Sequence, residues 1–266
     1  MKDIEHGSFQ GTSWSKEGSG SPVILVHGLG INRQMWQWQI ESLSPNFSVI
    51  YYDLLGHGES VNPEIPCQLS QFSSQLLTLM DGLNLECCAL VGFSLGGLIV
   101  QEFALNHPEK VNTLVLLNTA HGRTKSERKE VLSRVQQAEE HGPASTVEAA
   151  LERWFSTEFS AKNPEIMYKI RSWIKANDKY IYPKIYRLLA ECDESLKDSI
   201  SDIHCPTLVM TGEDDRGNSP EMSQRMAALI PNARAEIIPG LRHMGLVENP
   251  EAFNSRLVSF FQEVFR

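Results

Sequence analysis

Residues 91 to 100 read "VGFSLGGLIV" and follow directly on the apolar run 87 to 90. The apolar residues on either side read as the end of a buried strand and the start of a helix. Gly92, Ser94, Gly96 and Gly97 nevertheless occupy the junction, although glycine weakens both kinds of element. A smooth transition would need none of them. A strained strand-to-helix turn needs small residues so that neighbouring backbone can close in, and G-x-S-x-G is the pattern that holds a serine out above a sheet edge. Ser94 is therefore the candidate nucleophile, with the free N–H groups of the following helix beneath it.

The surrounding chain supplies the matching context. Runs rich in Val, Leu and Ile occur at residues 22–28, 48–53, 87–94, 111–119, 206–212 and 233–240. They lack clean alternation, as strands buried on both faces do. Helical patterns over 34–44, 70–83, 95–106, 219–229 and 249–265 separate them. This order predicts an α/β fold with a mostly parallel central sheet flanked by helices. Residues 121–200 break the order with helical patterns alone. One stops at Gly142-Pro143, one follows a Ser145/Glu148 capping box, one opens at Asn163-Pro164, and one runs through Ile185, Leu188 and Leu189. The expected organisation is a core of residues 1–120 and 201–266 with a helical cap, residues 121–200. The cap would lie over the carboxyl edge, where open α/β sheets bind ligands.

Composition narrows the partners. Lys and Arg number 24 against 33 acidic residues, a net charge of −9, with no basic block. Nucleic acid and anionic membrane surfaces are thus excluded as expected partners. "MKDIEHGSFQ" at the start lacks a signal-peptide apolar region and no run is long enough to span a bilayer, so a soluble, cytoplasmic protein is expected. The five cysteines are odd in number and show no C-x-x-C spacing, which predicts buried thiols and neither disulfides nor a metal site.

A serine hydroxyl needs a base to take its proton and a carboxylate to orient that base. On a sheet of this type the order is Ser, acid, His. His243, in "PGLRHMGLVENPEAF", falls after the last predicted strand and before the last helix. "LVMTGEDDRGNSP" offers Asp214 and Asp215 at a strand end, and Asp215 is preferred; the alternative for these acids is to cap the helix near Ser219. "LVHGLG" ends the first apolar run. The Leu29 N–H there, with the Leu95 N–H after the nucleophile, would form an oxyanion hole. Trp36 and Met35 could approach the acyl side, Trp154, Phe155 and Trp173 could wall the pocket or be plain core, and Arg33 or Arg123 could bind the carboxylate of an anionic lactone or be solvated surface groups.

Taken together, HGLG at 27–30, "YDLLGHGES" at 52–60, GFSLGG at 92–97, GEDD at 212–215 and His243 resemble the α/β-hydrolase fold superfamily over essentially the whole chain. Local stretches, "MWQWQIESL" at 35–43, "LLNTA" at 116–120, "ERWFSTEFS" at 152–160 and "AECDESL" at 190–196, are similar to 3-oxoadipate enol-lactonases. The resemblance implies a helical cap inserted after the sixth strand and hydrolysis of an ester-like bond without a cofactor. It also implies an acid at Asp215. A related subgroup carries its acid one strand earlier, where this chain has Asn118, an amide that cannot serve. The expected activity is cleavage of a small carboxylic ester or lactone by a monomer or homodimer. C–C bond hydrolysis on the same triad and a ligand receptor without turnover are the alternatives.

Overall fold

The computed structural model describes residues 4–265; the outermost ends of the predicted core, residues 1–3 and 266, lie outside the described residues. Eight strands form one sheet: β1 (Glu5–Phe9), β2 (Thr12–Glu17), β3 (Ser21–Val26), β4 (Phe47–Tyr52), β5 (Cys88–Phe93), β6 (Val111–Leu117), β7 (Thr207–Gly212) and β8 (Ala233–Ile238). Their order is β1-β2-β4-β3-β5-β6-β7-β8. β1 and β2 pair antiparallel with their neighbours, and every pairing from β4 to β8 is parallel.

All six predicted strands are present. β1 and β2 went unpredicted because β1 is exposed and short, and β2, though its first four residues are buried, reads TSWSKE and carries no apolar run. Gln10 and Gly11 both have positive φ and form the two-residue turn that joins the pair, with Phe9 facing Thr12.

Helices cover both faces of the sheet. Between β3 and β4 lies α1 (Gln37–Leu43), between β4 and β5 α2 (Leu69–Gly82), and after β5 α3 (Leu95–Asn106). Between β6 and β7 come α4 (Lys125–His141), α5 (Val147–Trp154), α6 (Thr157–Lys162), α7 (Pro164–Lys175), α8 (Tyr182–Glu191) and α9 (Asp193–Leu196). The chain ends through α10 (Pro220–Leu229), α11 (Gly245–Glu248) and α12 (Pro250–Val264). Two buried clusters sit on opposite faces of the sheet. Alternate residues of β3 divide between them, Ile24 and Val26 to one and Val23 and Leu25 to the other. That division is why strands buried on both faces show no polar alternation.

Two local expectations need correcting. The Ser145/Glu148 capping box does not form: residues 143–146 take a 3-10 turn, Ser145 Oγ donates to the carbonyls of Gly142 and Gln137, and Glu148 pairs with Arg171. The reciprocal box of this layer lies earlier, at Thr124 and Glu127, where it starts α4. The cysteines are all unbridged, but only Cys88 and Cys192 are fully buried. No helix among the described residues is long and apolar enough to cross a membrane.

Candidate active site

The site begins at the turn between β5 and α3. Ser94 has φ 54° and ψ −113°, a left-handed conformation that side chains larger than glycine rarely adopt. Such backbone costs on the order of 1–3 kcal/mol and persists only where its surroundings hold it. Here the surroundings are backbone. A Cβ on Gly92 would collide with the carbonyl of Gly96, and a Cβ on Gly96 would collide with the carbonyl of Val26 at the end of β3. The Ser94 N–H donates to Leu117 O at 2.9 Å, and its carbonyl accepts from Thr119 Oγ1 at 2.7 Å and from the Gly97 N–H at 3.0 Å. The serine is thus presented at the carboxyl edge of the sheet, and is 7% exposed.

The loop after β3 packs directly on this turn. A Cβ on Gly28 would lie 3.0 Å from the Phe93 ring and 3.2 Å from Ser94 Cβ, so the loop has little room for a side chain there. Two buried histidines shape the loop. His27 Nε2 accepts from the Leu54 N–H at 3.0 Å and its Nδ1 donates to Gly28 O at 2.7 Å. His57 Nε2 accepts from the Gly30 N–H at 2.9 Å and its Nδ1 donates to Leu55 O at 3.0 Å. Each ring is neutral in this arrangement. Burial pushes His27 down to about 4 and His57 down to about 3. His57 takes up the Gly30 amide, while Leu95 stands at the first turn of α3, where backbone N–H groups have no acceptor within the helix.

Asp215 stands in the loop after β7 and His243 in the loop after β8, and the structure brings them together. His243 Nδ1 lies 2.7 Å from Asp215 Oδ2. Asp215 is 3% exposed and His243 8%, whereas Asp214 is exposed to solvent. Burial alone would raise the Asp215 pKa. The charge and hydrogen bond of His243, with hydrogen bonds from Asn118 and Asn218, outweigh it and hold the carboxyl below its ordinary value. An ionised carboxylate only accepts, so Nδ1 carries a proton and Nε2 is the ring nitrogen that Asp215 does not engage. The ring lies between Phe93 and Trp154, 5.0 Å and 5.9 Å between centroids. No hydrogen bond joins Ser94 Oγ to this ring among the described residues; catalytic bonds of this kind often tighten only when substrate binds.

Ser94, Asp215, His243 and Leu29 line one cavity, closed by Val131 and Arg134 of α4, Ala150, Arg153 and Trp154 of α5, and Tyr182, Tyr186 and Leu189 of α8. Trp154 is thus among the residues that line the cavity. Trp36 is not: it is 0% exposed and belongs, with Met35 and Phe155, to the buried cluster between the sheet and α12. Trp173 lines a separate groove. Arg33 is tied to Asp53 and Glu59, away from the cavity. Arg123 lines the cavity, but it is no solvated surface group. Its Nη1 bonds Asp193 and the Leu189 carbonyl, and its Nη2 bonds Asn218.

Several contributors escaped the sequence reading. Asn118 Nδ2 donates to Asp215 Oδ2 at 2.9 Å, so the amide that cannot be the acid supports it. Asn218 donates its N–H to Asp215 Oδ1 and its Nδ2 to Asn118 O. The end of α5 is fastened to the histidine loop by the Met244 N–H on Trp154 O, by Arg242 on the carbonyls of Glu152 and Phe155, and by Glu248 on Ser156. The place of Asn118 at a strand end was read from the sequence; its positive φ and its bond to Asp215 are legible only in the coordinates.

This fold and site define a hydrolase of the α/β class, and the chain belongs to the alpha/beta hydrolase family, whose model matches residues 23–256. It is 30% identical to (E)-2-((N-methylformamido)methylene)succinate hydrolase of Acinetobacter baylyi, over 98% of each chain. It is 31% identical to 3-oxoadipate enol-lactonase 2 of the same organism, over 87% of this chain and 85% of that one. Among solved structures, the enol-lactonase from Burkholderia xenovorans LB400 superposes with a TM-score of 0.88 at 26% identity, covering 97% of this chain and all of the other.

Proposed function

We propose that this protein is a serine hydrolase that cleaves a small carboxylic ester or lactone through an acyl-enzyme. One observation carries the reading: Ser94 on its strained turn, Leu29 and the Asp215–His243 pair line a single cavity. His243 Nε2 takes the Ser94 proton as Oγ attacks the carbonyl carbon. The N–H groups of Leu29 and Leu95 receive the oxyanion, the second reinforced by the amino end of α3. His243 then protonates the leaving oxygen, and after the alcohol or enol departs it activates water to release Ser94. Asp215 keeps the imidazole in the Nδ1–H tautomer throughout.

The relatives support the reaction class, since their names describe a hydrolase and a lactonase. The deciding experiment compares wild type and Ser94→Ala on short p-nitrophenyl esters and neutral and anionic lactones. Turnover by the wild type and loss of at least about a thousandfold in the variant are expected. Turnover unchanged by the substitution ends the reading. Wild-type rates far below about one per second on every substrate, with ligand-dependent melting shifts, would instead make the scaffold a receptor.

A further inference from the structure

Two guanidinium groups face the catalytic cavity without a counter-ion. Arg134 on α4 and Arg153 on α5 both line it, and both are half-buried. Arg134 Nε donates to Tyr186 Oη at 3.1 Å, and Arg153 Nη1 donates to Ala149 O, one turn back on its own helix, at 2.7 Å. Neither forms an ion pair with a carboxylate among the described residues. The third cavity arginine differs: Arg123 is paired with Asp193, which also holds Arg128. Asp215, the acid of the cavity wall, is committed to His243.

The two cations also sense each other. Burial first, and then the charge of Arg134, push Arg153 below the ordinary guanidinium range, while Tyr186, Tyr182 and Asp215 pull the other way. Like charges in a half-buried cavity repel unless an anion joins them. In a chain of net charge −9 such a cavity is a local reversal of sign. Lysine would supply a point charge, whereas paired arginines supply planar forks that match a carboxylate.

We propose that Arg134 and Arg153 form a carboxylate-binding subsite, so that the substrate cleaved at Ser94 carries a free carboxylate directed into the helical layer between β6 and β7. The proposal rests on the serine-hydrolase reading. It moves anion recognition from Arg33 and Arg123, whose charges are already answered, to the two cavity cations whose charges are not.

The test uses two esters of equal chain length, the mono-4-nitrophenyl ester of glutaric acid and 4-nitrophenyl pentanoate, with spontaneous hydrolysis subtracted. The wild type should favour the anionic ester in kcat/KM, and R134M/R153M should lower the anionic-to-neutral ratio by about 10- to 100-fold, the range for losing charge-assisted hydrogen bonds. R134K and R153K, which keep the charge, should retain most of the ratio. A wild type that prefers the neutral ester, or a ratio unmoved in the double variant, overturns the proposal. Calorimetric titration of the Ser94→Ala protein with glutarate separates the subsite from the chemistry. Binding that disappears when R134M/R153M is added supports the subsite even if the serine substitution leaves hydrolysis intact; no binding at millimolar glutarate overturns it.

Discussion

Replacing Asp215 by Asn takes the charge out of a nest of four donors: His243 Nδ1 at 2.7 Å, Asn118 Nδ2 at 2.9 Å, Gly217 N at 3.0 Å and Asn218 N at 3.1 Å. The shape is kept, but one head atom of asparagine is itself a donor. With the amide oxygen toward the two backbone N–H groups, the amide nitrogen faces Asn118 Nδ2 and His243 Nδ1. The imidazole must then carry its proton on Nε2, the atom required to accept from Ser94. With the amide flipped, two backbone N–H groups lose their acceptor instead. A reversed tautomer in a Ser-His-Asp site lowers kcat by about ten-thousand-fold, roughly 5 kcal/mol of barrier. Asp214→Asn, at an exposed position, should change kcat by less than about twofold. Both variants are assayed on the best ester found for the wild type, with circular dichroism to show that they are folded. An Asp215→Asn enzyme within tenfold of wild type, or a more damaging Asp214→Asn, would refute the reasoning.

Three further outcomes are expected. Adding Asn118→Asp to Asp215→Asn exchanges the acid and its amide partner across a 2.9 Å contact, and should recover at least about tenfold of the lost kcat; equal rates for single and double variants would exclude the exchange. Gly96→Ala forces the start of α3 off the end of β3, displacing Ser94 and the Leu95 amide together, so a loss of about a hundredfold or more in kcat is expected even in molecules that remain folded. Folding stability should decline as pH falls. His27 and His57 are held neutral well below their ordinary value of 6.5, so the unfolded chain takes up protons that the native one refuses, from about pH 6.5 down toward 4. Asp215, held below its ordinary value, adds a loss only under still more acid conditions, as pH falls through the carboxylate range. Urea unfolding at pH 7.5, 6 and 5 measures the slope, and a flat profile would contradict the neutral-histidine assignment.

The glycine-flanked serine and the strand-ending HGLG were legible because each depends on local backbone geometry, which residue type controls directly; the carboxylates after β7 and the histidine after β8 were legible from their order along the chain and their places after strands. So was the central sheet, since runs of Val, Leu and Ile without alternation have few other uses. The antiparallel pair β1 and β2 was hidden because β1 is exposed and β2, though largely buried, is mostly polar, so neither carries an apolar run. The Ser145/Glu148 box failed for another reason: the spacing was right, but Ser145 found carbonyl partners on the preceding turn.

What residue order determined on its own was the identity of the candidate reactive groups and their sequence along the chain. Rotation of side chains about their elements was left to tertiary packing. Trp36 and Trp154 are both aromatic residues near an edge of the sheet, yet one fills the core and the other flanks the imidazole. Arg123 and Arg134 carry the same charge, yet one is paired with Asp193 and the other lines the cavity with no carboxylate partner among the described residues. The choice between Asp214 and Asp215 was of the same kind. Adjacent side chains leave the backbone in different directions, and only the meeting of the β7 and β8 loops decides which one reaches His243.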